Sequence, residues 1–308
     1  MSVLVVGSFI VDLVARTERA PQAGETVAGL SFDSYLGGKG ANQAVAARRM
    51  GADVVMAGCV GDDGYGREFI DLFDREGIPA RHVKISAGNK TGCSLVTVET
   101  SGQNRICMVA GSNLDYTVED ARALEPTLKD SRVVITQCEM RAEIADEVAA
   151  MCKKHGVKFI LNPAPARPLC DLTLSATYVL TPNETELGII VGRDLKTNAD
   201  YEQACRTLIN KGVQNVVVTL GAAGCLLVNA QTVKYIEGFK VEAVDTVGAG
   251  DSFTGSLGAL IDEGYSVEDA LRVCSAVGAL AVQKSGAIPS MPYRRDVEKF
   301  IAERSSAN

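Results

Sequence analysis

The chain has no tryptophan and only two histidines, His82 and His155, in 308 residues. Neither histidine lies near a candidate nucleophile in the sequence, and no Gly-x-Ser-x-Gly elbow is present, so a hydrolase triad is not expected. The nine cysteines are scattered and include no Cys-x-x-Cys pair, which speaks against zinc ribbons and disulfide scaffolds. Cys152 and His155 fall three apart on an expected helix, yet two ligands alone do not make a metal site. Basic charge is in deficit: Lys+Arg is 31 and Asp+Glu is 38, a net charge of −7. Without a basic face to release counterions, neither nucleic acid nor an anionic membrane surface is an expected partner. A phosphate site stays open, because it needs one local loop rather than a global field. No apolar run approaches the ~18 residues of a membrane span. The start, Met1 to Gly7, has no basic leader and does not read as a signal peptide. A reducing, cytoplasmic setting is expected.

Short β-branched runs recur between longer amphipathic stretches. Val3–Val6, Val54–Ala57, Val133–Thr136, Phe159–Leu161 and Val216–Thr219 read as strands buried on both faces. Helical patterns fall at Gly40–Met50, Gly66–Glu76, Ala142–His155, Asp200–Lys211, Asp251–Glu263 and Val267–Gln283. The alternation predicts an α/β, doubly wound, mainly parallel sheet with helices on both faces. Ligands of such sheets bind beyond the carboxyl ends of the strands. Two stretches, about 12–36 and 91–109, instead alternate polar and apolar residues, the pattern of strands with one exposed face. Together they predict a small second sheet over one end of the core, with an exposed face suited to dimerisation. One α/β unit over 1–308 is expected, with a polar end at Ser305–Asn308.

Three loops could carry chemistry. Asp245-Thr246-Val247-Gly248-Ala249-Gly250-Asp251 precedes a helical stretch. Its glycines allow successive amides to converge, and the helix start adds positive potential, a combination suited to a transferred phosphoryl group. Asp251 could accept a proton from a substrate hydroxyl; an N-capping aspartate has the same local sequence, and one residue can serve both ends. The second loop, Leu36-Gly37-Gly38-Lys39-Gly40-Ala41-Asn42-Gln43, is neither a P-loop nor a dinucleotide fingerprint. Lys39 and Asn42 offer donors to hydroxyls, although a plain glycine turn would look alike. In the third, Thr181-Pro182-Asn183-Glu184-Thr185-Glu186, Asn183 and Glu186 fall on one helical face. They could hold hydrated Mg²⁺ or simply cap a helix.

These loops, in this order, resemble the ribokinase-like (pfkB) carbohydrate kinases from about Gly7 to Pro289. Asn162-Pro163-Ala164-Pro165-Ala166 also matches, and the long form of the Gly38–Ala46 motif is closer to the ribokinase branch than to fructose-phosphate or adenosine kinases. The resemblance implies an ATP-dependent kinase acting on O5 of ribose. Asp251 would be the base and the amides of Gly248, Ala249 and Gly250 the anion hole. Asp12, Gly38, Lys39, Asn42 and Glu139 would hold the sugar. Asn183 and the turn Thr219, Leu220, Gly221, Ala222, Ala223 and Gly224 would contact ATP, Glu186 would organise Mg²⁺, and Ser275 would border the adenine. A K⁺-like cation would take Asp245, Ser290 and carbonyls of Val247, Ala281, Lys284 and Gly286. The small sheet would act as a lid and as the contact of a homodimer. Ile10 stands where many relatives carry an asparagine that pairs a ribose hydroxyl. Some relatives with an apolar residue there accept 2-deoxyribose, so a deoxyribose or dual-specificity kinase is an alternative. A non-catalytic sugar or nucleotide sensor is the alternative of a different class.

Overall fold

A computed structural model of the chain describes residues 2–305; Met1 and, of the polar end, residues 306–308 lie outside them. Val3–Val6 (β1) is apolar and buried at every position. Val3 and Val5 pack into one core, Leu4 and Val6 into another on the opposite face, as a strand covered on both sides requires. The other strands in chain order are Ile10–Thr17 (β2), Gly29–Gly37 (β3), Val54–Gly61 (β4), His82–Ser86 (β5), Gly92–Glu99 (β6), Asn104–Val109 (β7), Val133–Thr136 (β8), Lys158–Leu161 (β9), Thr177–Leu180 (β10), Asn215–Thr219 (β11), Gly224–Asn229 (β12) and Val233–Glu237 (β13).

The main sheet has nine strands in the order β13-β12-β11-β10-β9-β8-β1-β4-β5. It is parallel from β11 to β5. At the other edge β12 and β13 run antiparallel. Only the short turn Gly221–Ala223 joins β11 to β12, too little chain for a crossover, so the pair must reverse. Helices Lys39–Arg49, Gly64–Glu76, Ala249–Glu263 and Val267–Ala281 cover the face of Val3; Ala142–His155 and Asn198–Asn210 cover the face of Leu4. Among the described residues no helix is long and apolar enough to cross a membrane.

The small sheet forms from the two alternating stretches, in the order β3-β2-β6-β7. Its central pair β2–β6 is parallel rather than a hairpin. The reason is topological: β2 follows β1 and β6 follows β5, and both parents run the same way in the main sheet. After β1 the chain moves to β4 and β5 on one side, and later to β8 through β11 on the other. Loops leaving β1 and β8 therefore part, and the crevice between them at the carboxyl ends is where a doubly wound sheet takes its ligand.

Candidate active site

The glycines of the second loop are there for close approach. Gly38 has φ +86°, and a Cβ on it would lie 2.5 Å from the Ile10 amide nitrogen; a Cβ on Gly40 would lie 2.4 Å from that of Ser8. The loop is thus pressed against the β1–β2 connection, which brings Ile10 and Asp12 beside the start of helix Lys39–Arg49. Glu139, just past β8, accepts from the Lys39 amide at 2.9 Å and from the Ser8 hydroxyl. Burial pushes the Glu139 carboxyl above the ordinary carboxylate range, with the Lys39 ammonium opposing it. Lys39 is itself raised, first by Asp251 and then by Glu139 and Glu186. One ammonium therefore serves several acids converging on the crevice.

Asp251 sits in the first turn of Ala249–Glu263 and is 5% exposed. Its Oδ2 accepts from Asn42 Nδ2 and its Oδ1 from Gln43 Nε2, each at 2.9 Å. Asn42 Oδ1 is buried without a partner. It lies on the side of Asp12, since a Cβ on Gly37 would be 3.7 Å from it and 3.1 Å from Asp12 Oδ2. An orphaned acceptor beside a carboxylate fits a ligand rich in hydroxyl donors. Asp12 is held by the Ser94 hydroxyl. Burial pushes its carboxyl up, Asp251 adds to the rise, and Ser94 and Lys39 oppose it. A carboxyl that titrates higher folded than unfolded costs stability once pH rises through the folded value, and costs nothing below the unfolded one. Asp12→Asn is therefore expected to raise the unfolding midpoint at pH 8, with the gain fading toward pH 4. If Asp12 accepts from a substrate hydroxyl, as the family resemblance implies, the change should also lower kcat/KM ~10–100-fold, the worth of one hydrogen bond to a charged group. Melting curves at the two pH values, with steady-state kinetics, check both.

Gly248, φ +76°, begins the same helix. The Ser252 amide closes the first turn onto the Gly248 carbonyl at 2.8 Å, and the Ala249 amide makes a long bond of 3.3 Å to Thr246. The Gly250 and Asp251 amides are engaged by neither bond. Of the three amides expected to form the anion hole, Gly250's makes no backbone hydrogen bond among the described residues, while Ala249's is shared with the turn. Upstream, Asp245 accepts from the Val247 amide at 3.0 Å and from the Gly286 amide at 2.9 Å, joining this loop to the segment after Val267–Ala281. The Ala281 carbonyl accepts from the Lys284 amide, and Ser290, fully buried, donates to the Ala287 carbonyl at 2.7 Å. Asp245 thus ties Val247 to Gly286, and Gly248 packs against Ala287, where a Cβ on it would lie 3.0 Å away, while the Ala281–Lys284 and Ser290–Ala287 bonds are local to the following segment.

Asn183 and Glu186 form a capping box on helix Glu184–Val191, each side chain bonded to the other's amide at 2.8 Å. Capping is what the structure shows of them, with Asn183 just outside the helix rather than on its face. Glu186 still belongs to the crevice: burial raises its carboxyl, while Lys39 lowers it and Asp251 adds to the rise. Thr219 bridges to Asn183, which docks the turn Thr219–Gly224 against the cap. Leu220 and Gly224 close that turn at 2.9 Å, and Gly221, Ala222 and Ala223 are exposed at its tip. Ser275 is buried on Val267–Ala281. No group of three or more His, Cys, Asp or Glu placed to hold a metal occurs among the described residues. Cys152 is buried, and His155 pairs with Glu125 at 2.6 Å instead. Gln137 and Gln43 carried no role in the sequence reading. The structure shows both, with Asn162, buried behind Asp251.

A buried acid held by two side-chain amides at a helix start, in one crevice of a doubly wound sheet, is an arrangement suited to phosphoryl transfer. A sequence model described as "pfkB family carbohydrate kinase" matches residues 1–294, and the chain belongs to that family. A ribokinase of Bacillus subtilis is 38% identical over 302 residues, covering 98% of this chain and 99% of the relative. A deoxyribokinase of Salmonella typhimurium is 33% identical over 303 residues, with coverage of 98% and 99%. The Arabidopsis thaliana ribokinase solved with ribose and ATP superposes with a TM-score of 0.90 at 32% identity, covering 97% of this chain and 98% of that one. The chain is an ATP-binding carbohydrate kinase.

Proposed function

We propose that the chain phosphorylates D-ribose at O5, with Asp251 as the general base. The observation that carries this reading is the position of Asp251: buried, held at both oxygens, with hydroxyl-binding groups on one side and the Gly248–Asp251 turn on the other. As the sugar oxygen bonds to the γ-phosphorus and the bond to ADP breaks, the hydroxyl proton passes to Asp251. Amides at the helix start, Gly250's above all, face the charge on the equatorial oxygens; the long Ala249 bond is weak enough to be shared. Gly38, Lys39, Asn42, Asp12 and Glu139 hold the sugar. Asn183, the Thr219–Gly224 turn and Ser275 are the nucleotide side.

Four acids around one lysine need a counter-charge before a polyphosphate can enter. Mg²⁺ would supply it, held through water near Glu186 and by the phosphates, since direct protein ligands are too few. Asp245, Ser290 and the carbonyls of Val247, Ala281, Lys284 and Gly286 would supply the oxygens of a K⁺ site, and a cation there would stiffen the turn before Asp251; the link of Asp245 to Val247 and Gly286 supports this. The small sheet would close over the sugar as a lid, excluding water. Its residues Phe32, Leu95 and Val109 are exposed, and the register places them on one face with Leu13. A second copy of the chain would cover that face. Light scattering should find a dimer, and Phe32→Asp with Leu95→Asp a monomer; a monomeric parent would rule the contact out.

A second reading, 2-deoxyribose as substrate, is favoured by Ile10. It is 3% exposed and pairs with Gly37 and Gly92, so it offers no partner to a hydroxyl. An ADP-release assay with ribose, 2-deoxyribose, fructose and adenosine, in Mg²⁺ with and without K⁺, decides. Ribose should give the highest kcat/KM, with 2-deoxyribose within ~100-fold, because an apolar contact discriminates poorly over one hydroxyl. ADP release with none of the four would reject the reading.

A further inference from the structure

We propose that Gln43, Gln137 and Asn162 are positioning residues, a chain of neutral amides that aims Asp251 at the substrate hydroxyl, with Gln137 fixing which way Gln43 points. The proposal rests on the reading of Asp251 as the base. A carboxylate only accepts, so the Gln43 carboxamide must turn its NH₂ toward Asp251 Oδ1. The same nitrogen spends its second hydrogen on Asn162 Oδ1 at 3.1 Å. The Gln43 oxygen is thereby turned the other way, where Gln137 Nε2 donates to it at 2.8 Å. Asn162, its oxygen committed, donates through Nδ2 to the Thr181 carbonyl at 2.9 Å. Every bond direction follows from the acid outward, and no amide can rotate alone without opposing two donors or two acceptors.

The chain is anchored in the rigid part of the fold. Gln137, Asn162 and Thr181 are the residues that follow the neighbouring strands β8, β9 and β10, and Gln43 lies on helix Lys39–Arg49. Gln43, Gln137, Asn162 and Thr181 are all buried. Space for Gln137 exists because position 7 is glycine: a Cβ there would lie 2.1 Å from Gln137 Oε1 and 2.7 Å from the Gly40 Cα. Asn42, by contrast, has a buried acceptor left over on the sugar side, so it serves substrate as well as Asp251. Gln43 has no polar atom left over.

Neutrality matters as much as direction. Asp251 already feels Lys39 from the loop, Asp12 from β2, Glu139 from the end of β8 and Glu186 from helix Glu184–Val191. A carboxylate in place of Gln43 would put a like charge in hydrogen-bond contact with the base, and the pair would keep a shared proton to higher pH.

The test uses the full-length enzyme with the sugar it turns over best. Gln43→Glu should move the acidic limb of the kcat/KM profile to higher pH by about one unit or more. When ionised, Gln137→Glu cannot donate to Gln43; at a pH where it is charged it should lower kcat ~10²-fold, the scale of a misplaced catalytic group, while KM for ATP holds. Gln137→Met removes one hydrogen bond without reversing it and should cost only ~10-fold. A folded Gln43→Glu with the parental profile overturns the proposal, and so do Gln137→Glu and Gln137→Met with equal kcat, which would mean packing alone. If Gln43→Glu does not fold, the Gln137 pair decides. Asp251→Asn separates the two readings: full turnover there removes the base itself, whereas an inactive Asp251→Asn beside parental Gln43 and Gln137 variants removes only the amide chain.

Discussion

Asp251→Asn should lower kcat ~10²–10⁴-fold, the usual contribution of a positioned general base. The substitution preserves shape and removes only basicity and charge. The Gly248–Asp251 turn depends on backbone amides and on Asp245, none of which the change touches, so ATP should bind as it does to the parent. Asn42 and Gln43 both donate to residue 251, and asparagine has one oxygen for the two of them. One donor then faces an NH₂ group, which should cost ~1–3 kcal/mol of stability as a buried unsatisfied group. Single-turnover kinetics, ATP titration calorimetry and urea unfolding read the three effects separately. Parental kcat in a folded variant rejects the base.

Lys39→Met should be nearly as damaging, for a different reason. The Lys39 ammonium offsets Asp251, Glu139 and Glu186 at once, and Asp12 and Glu139 are already raised by burial. Removing it leaves those charges facing each other. Breaking a buried pair costs 3–5 kcal/mol, and about 3 is expected here because the crevice is open to water. The pH dependence has a definite sign. Without Lys39 the folded-state carboxyls titrate higher still, so the deficit should be small near pH 4 and grow toward pH 7. Urea unfolding at the two pH values checks this. A deficit independent of pH would mean that Lys39 matters through its aliphatic stem, and an unaltered KM for the sugar would remove it from the binding site.

How much of this could be read from the chain depends on the range of the interactions. β1 and β8 are legible end to end because both faces are buried and every residue except Thr136 is apolar, and Ala142–His155 because its apolar period and Gly156 mark both limits. The edge strand β5, His82-Val83-Lys84-Ile85-Ser86, has no such run, and β12–β13 depends on the tight turn before it. Asp251 stands out because the glycine turn that precedes it is adjacent in sequence. Gln43 and Gln137 do not, because the contacts that give them meaning span 208 and 94 residues. Ser8 is silent for the same reason: its partner Glu139, named only by family resemblance, lies 131 residues away. The Asp245–Gly286 corner was expected from family resemblance alone; nothing local in either loop announces the other.

In the proposed reaction, one acid and one turn of backbone amides act on opposite sides of a single phosphoryl group moving to a sugar hydroxyl. Phosphorus and carbon NMR of the product formed from ribose, ATP, Mg²⁺ and K⁺ tests it most directly. The expected spectrum shows one phosphate ester coupled to C5, formed in equal amount with ADP and missing with Asp251→Asn. Inorganic phosphate in place of an ester, or an ester at another carbon formed equally well by Asp251→Asn, would contradict it.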